Sequence, residues 1–123
     1  MTQARLRTGR TGEEIARAHL RAAGMRIVER NARTRYGELD LIALDGSTLV
    51  FIEVKTTHEG NRRGPERPEL AVGRRKQLQV RRLARAWLAE ATPPRHAAMR
   101  FDVVGVRLRP DGHGTLRHIR DAF

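Results

Sequence analysis

The chain has 123 residues, and its 25 Lys and Arg against 14 Asp and Glu give a formal net charge of +11. This length predicts one domain with a modest core, and 39% hydrophobic with 32% charged residues exclude wholesale disorder and an integral membrane protein. Since the chain contains no Cys, disulfides, Cys-ligated zinc and a thiol nucleophile are excluded as well. We therefore expect a cytoplasmic protein with no membrane partner, whose excess positive charge favours binding to a polyanion.

The first elements follow from periodicity and capping. Residues 1–10 are basic and lack helical periodicity, which predicts a flexible basic arm ahead of a single domain over residues 11–123. Thr11 and Glu14 match a capping box, so we predict that the first helix begins at Thr11. Gly24 fits the left-handed position that follows its last turn.

A strand, a hairpin and a loop are predicted next. Residues 25–31 predict the strand, and the apolar runs over residues 38–44 and 48–55 flank Asp45-Gly46-Ser47, which is typical of a β-hairpin. Residues 56–70 contain several Gly and Pro with mixed charges, and they predict a long mobile loop.

The second half of the chain predicts one more helix and two strands. The helix covers residues 72–91, with an apolar stripe formed by Val80, Leu83, Ala84, Trp87 and Leu88. Residues 101–108 are apolar on both faces, as in a central strand, and residues 115–120 predict the last strand. The order helix, strand, hairpin, helix, strand, strand predicts an α/β fold in which about five strands form a mixed sheet flanked by two main helices.

The hairpin brings charged side chains together. A two-residue loop at Gly46-Ser47 suits a type II′ turn, and this register places Asp40 opposite Glu53 and Glu38 opposite Lys55. Directly opposed residues have Cβ atoms roughly 4.5–5.5 Å apart. A loop shifted by one residue changes the partners but keeps Asp40, Glu53 and Lys55 on one face.

These charged groups allow two interpretations. Because two adjacent carboxylates repel each other, a Mg²⁺ or Mn²⁺ ion held by Asp40 and Glu53 is one solution. Lys55, on the same strand face, would then hold a water or a phosphate oxygen. The alternative is a salt-bridge cluster at the rim of the sheet, in which Lys55 pairs with Asp40 and Glu38.

Both helices add candidate groups. Extending the apolar stripe back by three and four residues reaches Gln77 and Lys76, which should face the sheet near the carboxylates. Alternatively, Lys76 extends from a helix edge into solvent. Glu13, which the capping box does not use, is positioned to approach the metal site from the first helix turn. Contacts with nucleic-acid phosphates are expected from Arg10, Arg35, Arg62, Arg63, Arg74, Arg75, Lys76 and Arg81.

Five segments resemble one bacterial family, in the same order along the chain. They are Gly12-Glu13, residues 37–42 (Gly-Glu-Leu-Asp-Leu-Ile), residues 51–55 (Phe-Ile-Glu-Val-Lys), residues 100–104 (Arg-Phe-Asp-Val-Val) and residues 119–123 (Ile-Arg-Asp-Ala-Phe). The pattern is similar to that of the YraN-like family, which has been assigned to the PD-(D/E)xK nuclease superfamily, near the Holliday-junction resolvases.

The resemblance implies a restriction-endonuclease-like core and a function. It implies that Asp40 and Glu53 are metal ligands and that Lys55 is the catalytic lysine, and it adds Glu13 and Gln77 to the catalytic site. The leading hypothesis is a Mg²⁺- or Mn²⁺-dependent endonuclease acting on DNA, with branched or structured DNA as the candidate substrate. A homodimer is expected only by analogy with resolvases.

Two other classes of function remain as alternatives. A nucleic-acid-binding or assembly module that retains the nuclease fold without catalysis explains the net charge equally well. It does not explain the carboxylates, which would repel a phosphate. The arginines of the second helix would then form a solvated face. A helix-turn-helix regulator is disfavoured, because the hairpin separates the two helices.

Overall fold

A computed structural model describes residues 3–59 and 67–123, with side chains from Thr11 onward in the first range. In chain order, the elements are α1 (Gln3–Ala22), β1 (Arg26–Thr34), β2 (Gly37–Asp45), β3 (Thr48–His58), a 3₁₀ helix (Pro68–Ala71), α2 (Arg74–Glu90), β4 (Ala98–Leu108) and β5 (Gly114–Ile119). The predicted order of helices and strands is confirmed. No helix in these two ranges is long and apolar enough to cross a membrane.

The five strands form one sheet in the order β1-β2-β3-β4-β5. β3 and β4 are parallel, whereas the other neighbouring pairs are antiparallel. This difference arises because parallel neighbours need a crossover, which α2 supplies, while short turns join antiparallel strands. The predicted α/β fold, with a five-stranded mixed sheet and two helices, is confirmed and is consistent with a restriction-endonuclease-like core.

Each face of the sheet is covered by one helix. On one face, Leu20 of α1 packs into a cluster with Val104 of β4. On the other face, the predicted apolar stripe of α2 packs around Phe51 of β3. Because β3 and β4 are covered on both faces, their central residues, 49–52 and 103–106, are apolar. The buried acidic residues of these two strands are Glu53 and Asp102.

The first helix begins at Gln3 and not at Thr11. Thr11 lies inside α1, so the predicted capping box is wrong, and the backbone of residues 3–10 is helical. The first five residues of α1 are Gln, Ala, Arg, Leu and Arg, whose helix propensity outweighs the glycines that follow. Gly12 instead allows close packing, since a Cβ there would overlap the side chain of Thr56 on β3.

The loop predicted over residues 56–70 is wrong at both ends. β3 continues to His58, and the 3₁₀ helix packs on the sheet before α2 begins. Glu69 of this helix is buried, with 3% of its surface exposed. It lies directly over Gly105 of β4, where a Cβ would come within 2.6 Å of the Glu69 backbone nitrogen. The glycine therefore permits the close approach of the 3₁₀ helix to the sheet.

The β2–β3 hairpin has the predicted register. Leu41 pairs with Ile52 and Asp45 with Thr48, which leaves Gly46-Ser47 as the loop. Gly46 has a φ of +61°, as the first central position of a type II′ turn requires. A loop shifted by one residue is thereby excluded. Backbone pairing between the two strands ends at Leu41, and the charged residues lie just beyond that point.

Candidate active site

Asp40 lies where the pairing of β2 with β3 ends. Its Oδ2 atom accepts a hydrogen bond from the backbone N–H of Val54 at 2.9 Å, so the side chain replaces the next bond of the ladder. Glu38 pairs with Arg33 of β1. The predicted pairings of Asp40 with Glu53 and of Glu38 with Lys55 are both wrong, because the ladder between β2 and β3 ends at Leu41 while β2 continues alongside β1.

Glu53 is buried beside Asp40, with 6% of its surface exposed. Burial and then the negative charge of Asp40 raise the pKa of Glu53 from 4.5 to about 7, although the charges of Lys76 and Lys55 oppose the rise. A hydrogen bond between the carboxyl groups of Asp40 and Glu53 also raises the pKa of Glu53. Glu53 therefore keeps its proton to a higher pH than an ordinary carboxylic acid, and a bound divalent cation would displace that proton.

Both lysines of the chain lie at this acidic pair. Lys76 on α2 places its Nζ atom 3.4 Å from Glu53 Oε1, while 42% of the Lys76 side chain remains exposed. Lys55 follows Glu53 by two residues on β3, and its charge acts on the same carboxylate. Among the residues that the structure describes, the predicted alternative of Lys55 ion-paired with Asp40 and Glu38 is absent.

Glu13 approaches the acids from α1. Burial raises its pKa, and the charges of Asp40 and Glu38 raise it further. With its amide nitrogen turned toward the carboxylates, Asn31 of β1 donates to Glu38 Oε1 at 3.0 Å and to Glu13 Oε2 at 3.2 Å. A cavity of about 210 Å³, which Arg17 also lines, opens beside this group. The acidic site thus combines side chains from α1, β2 and β3.

Asn31 is the residue at this site that the sequence reasoning missed. It adopts a φ of +51° within β1, a conformation that Asn tolerates better than most residues. The available signal was weak: an Asn inside a predicted strand, where Asn is depleted.

Gln77 closes the first turn of α2. Its amide nitrogen donates to the backbone carbonyl of Val72 at 3.0 Å, just before the helix begins. A direct contact of Gln77 with Glu53 or with an attacking water stays a prediction.

The predicted phosphate contacts lie in different environments. Arg74 and Arg75 are exposed at the start of α2. Arg35 is exposed and pairs with Glu90 at 3.3 Å, whereas the guanidinium of Arg81 lies 4.6 Å from the centre of an aromatic ring of β4. The side chains outside the described part of the chain are those of Arg10, Arg62 and Arg63.

The second buried acid of the central strands, Asp102, belongs to a structural network. It accepts hydrogen bonds from Arg100 at 2.8 Å, from His118 at 2.7 Å and from the backbone of Asp121 at 3.0 Å. Although burial favours the neutral acid, these bonds lower the pKa of Asp102 to about 2. His118 also contacts His19 of α1 at 3.1 Å. The network therefore ties α1, β4 and β5 together.

The acidic pair fits a magnesium or manganese ion by its donor chemistry. Mg²⁺ is commonly bound through one or two carboxylates, with water and substrate phosphate completing its shell. Asp40 and Glu53 supply two such carboxylates, and a cation would relieve their repulsion. Within residues 3–59 and 67–123, no three His, Cys, Asp or Glu side chains form a group that could hold a metal ion. Asp40 and Glu53 could supply two protein ligands of such an ion.

The acidic site lies within the part of the chain that matches a family of known sequences. The model of the Uncharacterised protein family UPF0102 matches residues 12–106, which include Glu13, Glu38, Asp40, Glu53 and both lysines. A UPF0102 protein of Syntrophus aciditrophicus is 46% identical over 123 residues, covering 100% of this chain and 92% of the relative. A UPF0102 protein of Frankia alni is 50% identical over 115 residues, covering 94% of this chain and 92% of the relative. A UPF0102 protein of Rhodococcus opacus is 47% identical over 122 residues, covering 96% of this chain and 97% of the relative.

Proposed function

The chain belongs to the uncharacterised protein family UPF0102, the YraN family, and from its site we propose a divalent-metal-dependent endonuclease that hydrolyses phosphodiester bonds in DNA. The family name states no activity, so the proposal rests on the residues of this chain. One observation carries it: Glu53 is buried directly beside Asp40, and burial together with the charge of Asp40 raises the pKa of Glu53 to about 7. Such a pair favours binding of a divalent cation.

Each group at the site has a role in the proposed reaction. Asp40 and Glu53 would hold Mg²⁺ or Mn²⁺, and when bound the ion would stabilise negative charge at the scissile phosphate. Lys55 orients a water molecule and, in its neutral amine form, accepts the proton of that water to become an ammonium, whereas a guanidinium stays charged and cannot accept it. Lys76, which remains partly exposed beside Glu53, is available to contact the phosphate.

The arginines supply affinity in this proposal. Arg74 and Arg75 are exposed at the start of α2, next to Lys76, and they would bind flanking phosphates without reading sequence. A substrate whose negative charge spans this surface would bring a phosphate to the acidic pair. The high positive charge therefore explains binding, and the acidic pair explains chemistry.

The test is a cleavage panel with junction, flap and duplex DNA in Mg²⁺ and in Mn²⁺. We expect wild-type protein to cut at least one substrate, and we expect Asp40→Asn and Lys55→Ala to lose cleavage while binding DNA normally. Asp111→Asn is the matched control, because this carboxylate lies in an exposed turn. Equal cleavage by wild type, Asp40→Asn and Lys55→Ala would refute catalysis by this site.

The competing function is a binding or assembly module without catalysis. Calorimetry distinguishes the two, since only the nuclease requires Asp40 and Glu53 to bind a divalent cation. Undetectable Mg²⁺ and Mn²⁺ binding, together with DNA affinity unaffected by EDTA and no cleavage, would favour the module.

A further inference from the structure

An exposed aromatic ring lies at the tip of the β1–β2 hairpin. Tyr36 has 45% of its surface exposed. The guanidinium carbon of Arg82 on α2 lies 4.0 Å from the centre of the Tyr36 ring, and that of Arg35 lies 5.9 Å away. The ring is thus supported by a cation while nearly half of the residue faces solvent.

Hydrogen bonds hold the tip in one conformation. Thr34 Oγ1 accepts from the backbone N–H of Tyr36 at 3.1 Å and donates to the carbonyl of Gly37 at 3.0 Å. The side chain of Gln79 on α2 donates to the carbonyl of Tyr36 at 3.4 Å. These hydrogen bonds fix the conformation of the turn and attach it to α2. The Tyr36 ring is therefore already in position before a ligand binds.

The surface around the ring is suited to a nucleic acid. Leu78 is 55% exposed, and Arg75 lies one helical turn before it on the same side of α2. The exposed groups therefore combine guanidinium cations, which bind phosphate, with an aromatic ring, which stacks on a base. An apolar peptide would meet too many cations here, whereas a polyanion with aromatic bases matches both features.

The ring lies along α2 from the lysine of the acidic pair. Arg82, which supports Tyr36, follows Lys76 by six residues of α2, which corresponds to about 9 Å along the helix axis at roughly 1.5 Å per residue. A strand that is bound at the acidic pair and follows α2 would therefore reach Tyr36.

We propose that Tyr36, supported by Arg82, binds an unpaired nucleobase of the strand whose cleaved phosphate lies at the acidic pair. In continuous duplex DNA the base faces are occupied by neighbouring pairs, so only a frayed, flapped or branched strand presents a base to the ring. This inference rests on the proposed nuclease function and narrows its substrate to DNA with unpaired nucleotides beside the cut.

The test compares binding of flap DNA and continuous duplex by full-length protein in EDTA, where cleavage is not required. The flap carries unpaired nucleotides over the first three positions from the branch point. We expect Tyr36→Ala to weaken flap binding by about 5- to 150-fold, the range measured for one stacked base. Duplex affinity should change less than about twofold, because the phosphate contacts remain.

Two variants serve as controls. Tyr36→Phe retains the ring and should bind the flap as wild type does. Met99→Ala removes an apolar side chain of similar exposure, 50%, from β4 at the end of the sheet remote from Glu53, and it should change neither affinity. Equal loss of flap and duplex binding in Tyr36→Ala, or no loss of either, would overturn the inference. A protein that prefers flaps through Tyr36 but cuts nothing would instead refute the proposed catalysis alone.

Discussion

Replacing Glu53 by Gln should stabilise the metal-free protein at pH 8. The side chain is buried, and its pKa rises from 4.5 to about 7, first because of burial and then because of Asp40. Between pH 4.5 and about pH 7 the folded protein holds a proton on Glu53 that the unfolded chain has released. The free energy of unfolding therefore falls as pH rises. Each pKa unit corresponds to about 1.4 kcal/mol, and the full rise to about 3 kcal/mol. Glu53→Gln removes this cost, because its amide carries no charge.

Urea denaturation in EDTA measures the effect. Wild type should lose about 3 kcal/mol of unfolding free energy between pH 4.5 and pH 8 relative to Glu53→Gln. The two proteins should be equally stable below about pH 4.5, where the carboxyl group of Glu53 is neutral in the folded and in the unfolded wild type. The reasoning is refuted if Glu53→Gln is less stable than wild type at pH 8, or if the difference between them does not depend on pH.

Three further predictions concern packing and charge. Gly105→Ala should destabilise the fold by about 1–3 kcal/mol in urea denaturation, because the added Cβ would lie 2.6 Å from the Glu69 nitrogen and carboxylate; an unchanged midpoint would contradict this. Asp102→Ala should cost about 3–5 kcal/mol in the same assay, since it leaves the Arg100 guanidinium with Asp45 alone and removes the carboxylate that bonds His118. A cost under about 1 kcal/mol would contradict it. Lys76→Met should raise the pKa of Glu53 further, because the positive charge of Lys76 lowers that pKa in the wild type. A carboxyl NMR titration of the metal-free protein measures this pKa, and a lower value in the variant would show that the ion pair does not stabilise the carboxylate.

The hairpin shows why part of the site can be predicted from sequence. A Gly at the first position of a two-residue loop restricts the turn type, and the turn type fixes the register. The register then places Asp40 near Glu53 without knowledge of the remaining fold. The predicted pairing fails from Asp40 onward, where the Asp40 carboxylate accepts the hydrogen bond of the Val54 N–H in place of the next ladder bond. Local pairing rules do not predict where a strand leaves one neighbour.

The contacts around Asn31 depend on tertiary structure. Asn31 meets Glu13 and Glu38 because α1 packs closely at Gly12 and because β1 has a bulge between Ile27 and Glu29. Neither feature has a signal in the periodicity of the chain. The start of α1 has another cause, since the helix propensity of residues 3–7 extends the helix past the capping motif at Thr11.

The most direct test of the proposed nuclease is the single-turnover rate of flap cleavage in Mn²⁺ by wild type and Lys55→Arg. The guanidinium of the variant keeps the positive charge but cannot take a proton from water at neutral pH. We predict cleavage by wild type and a rate about 10²- to 10⁴-fold lower for Lys55→Arg, with unchanged DNA affinity. Equal rates for the two proteins, or no cleavage by wild type on any DNA substrate, would contradict the account.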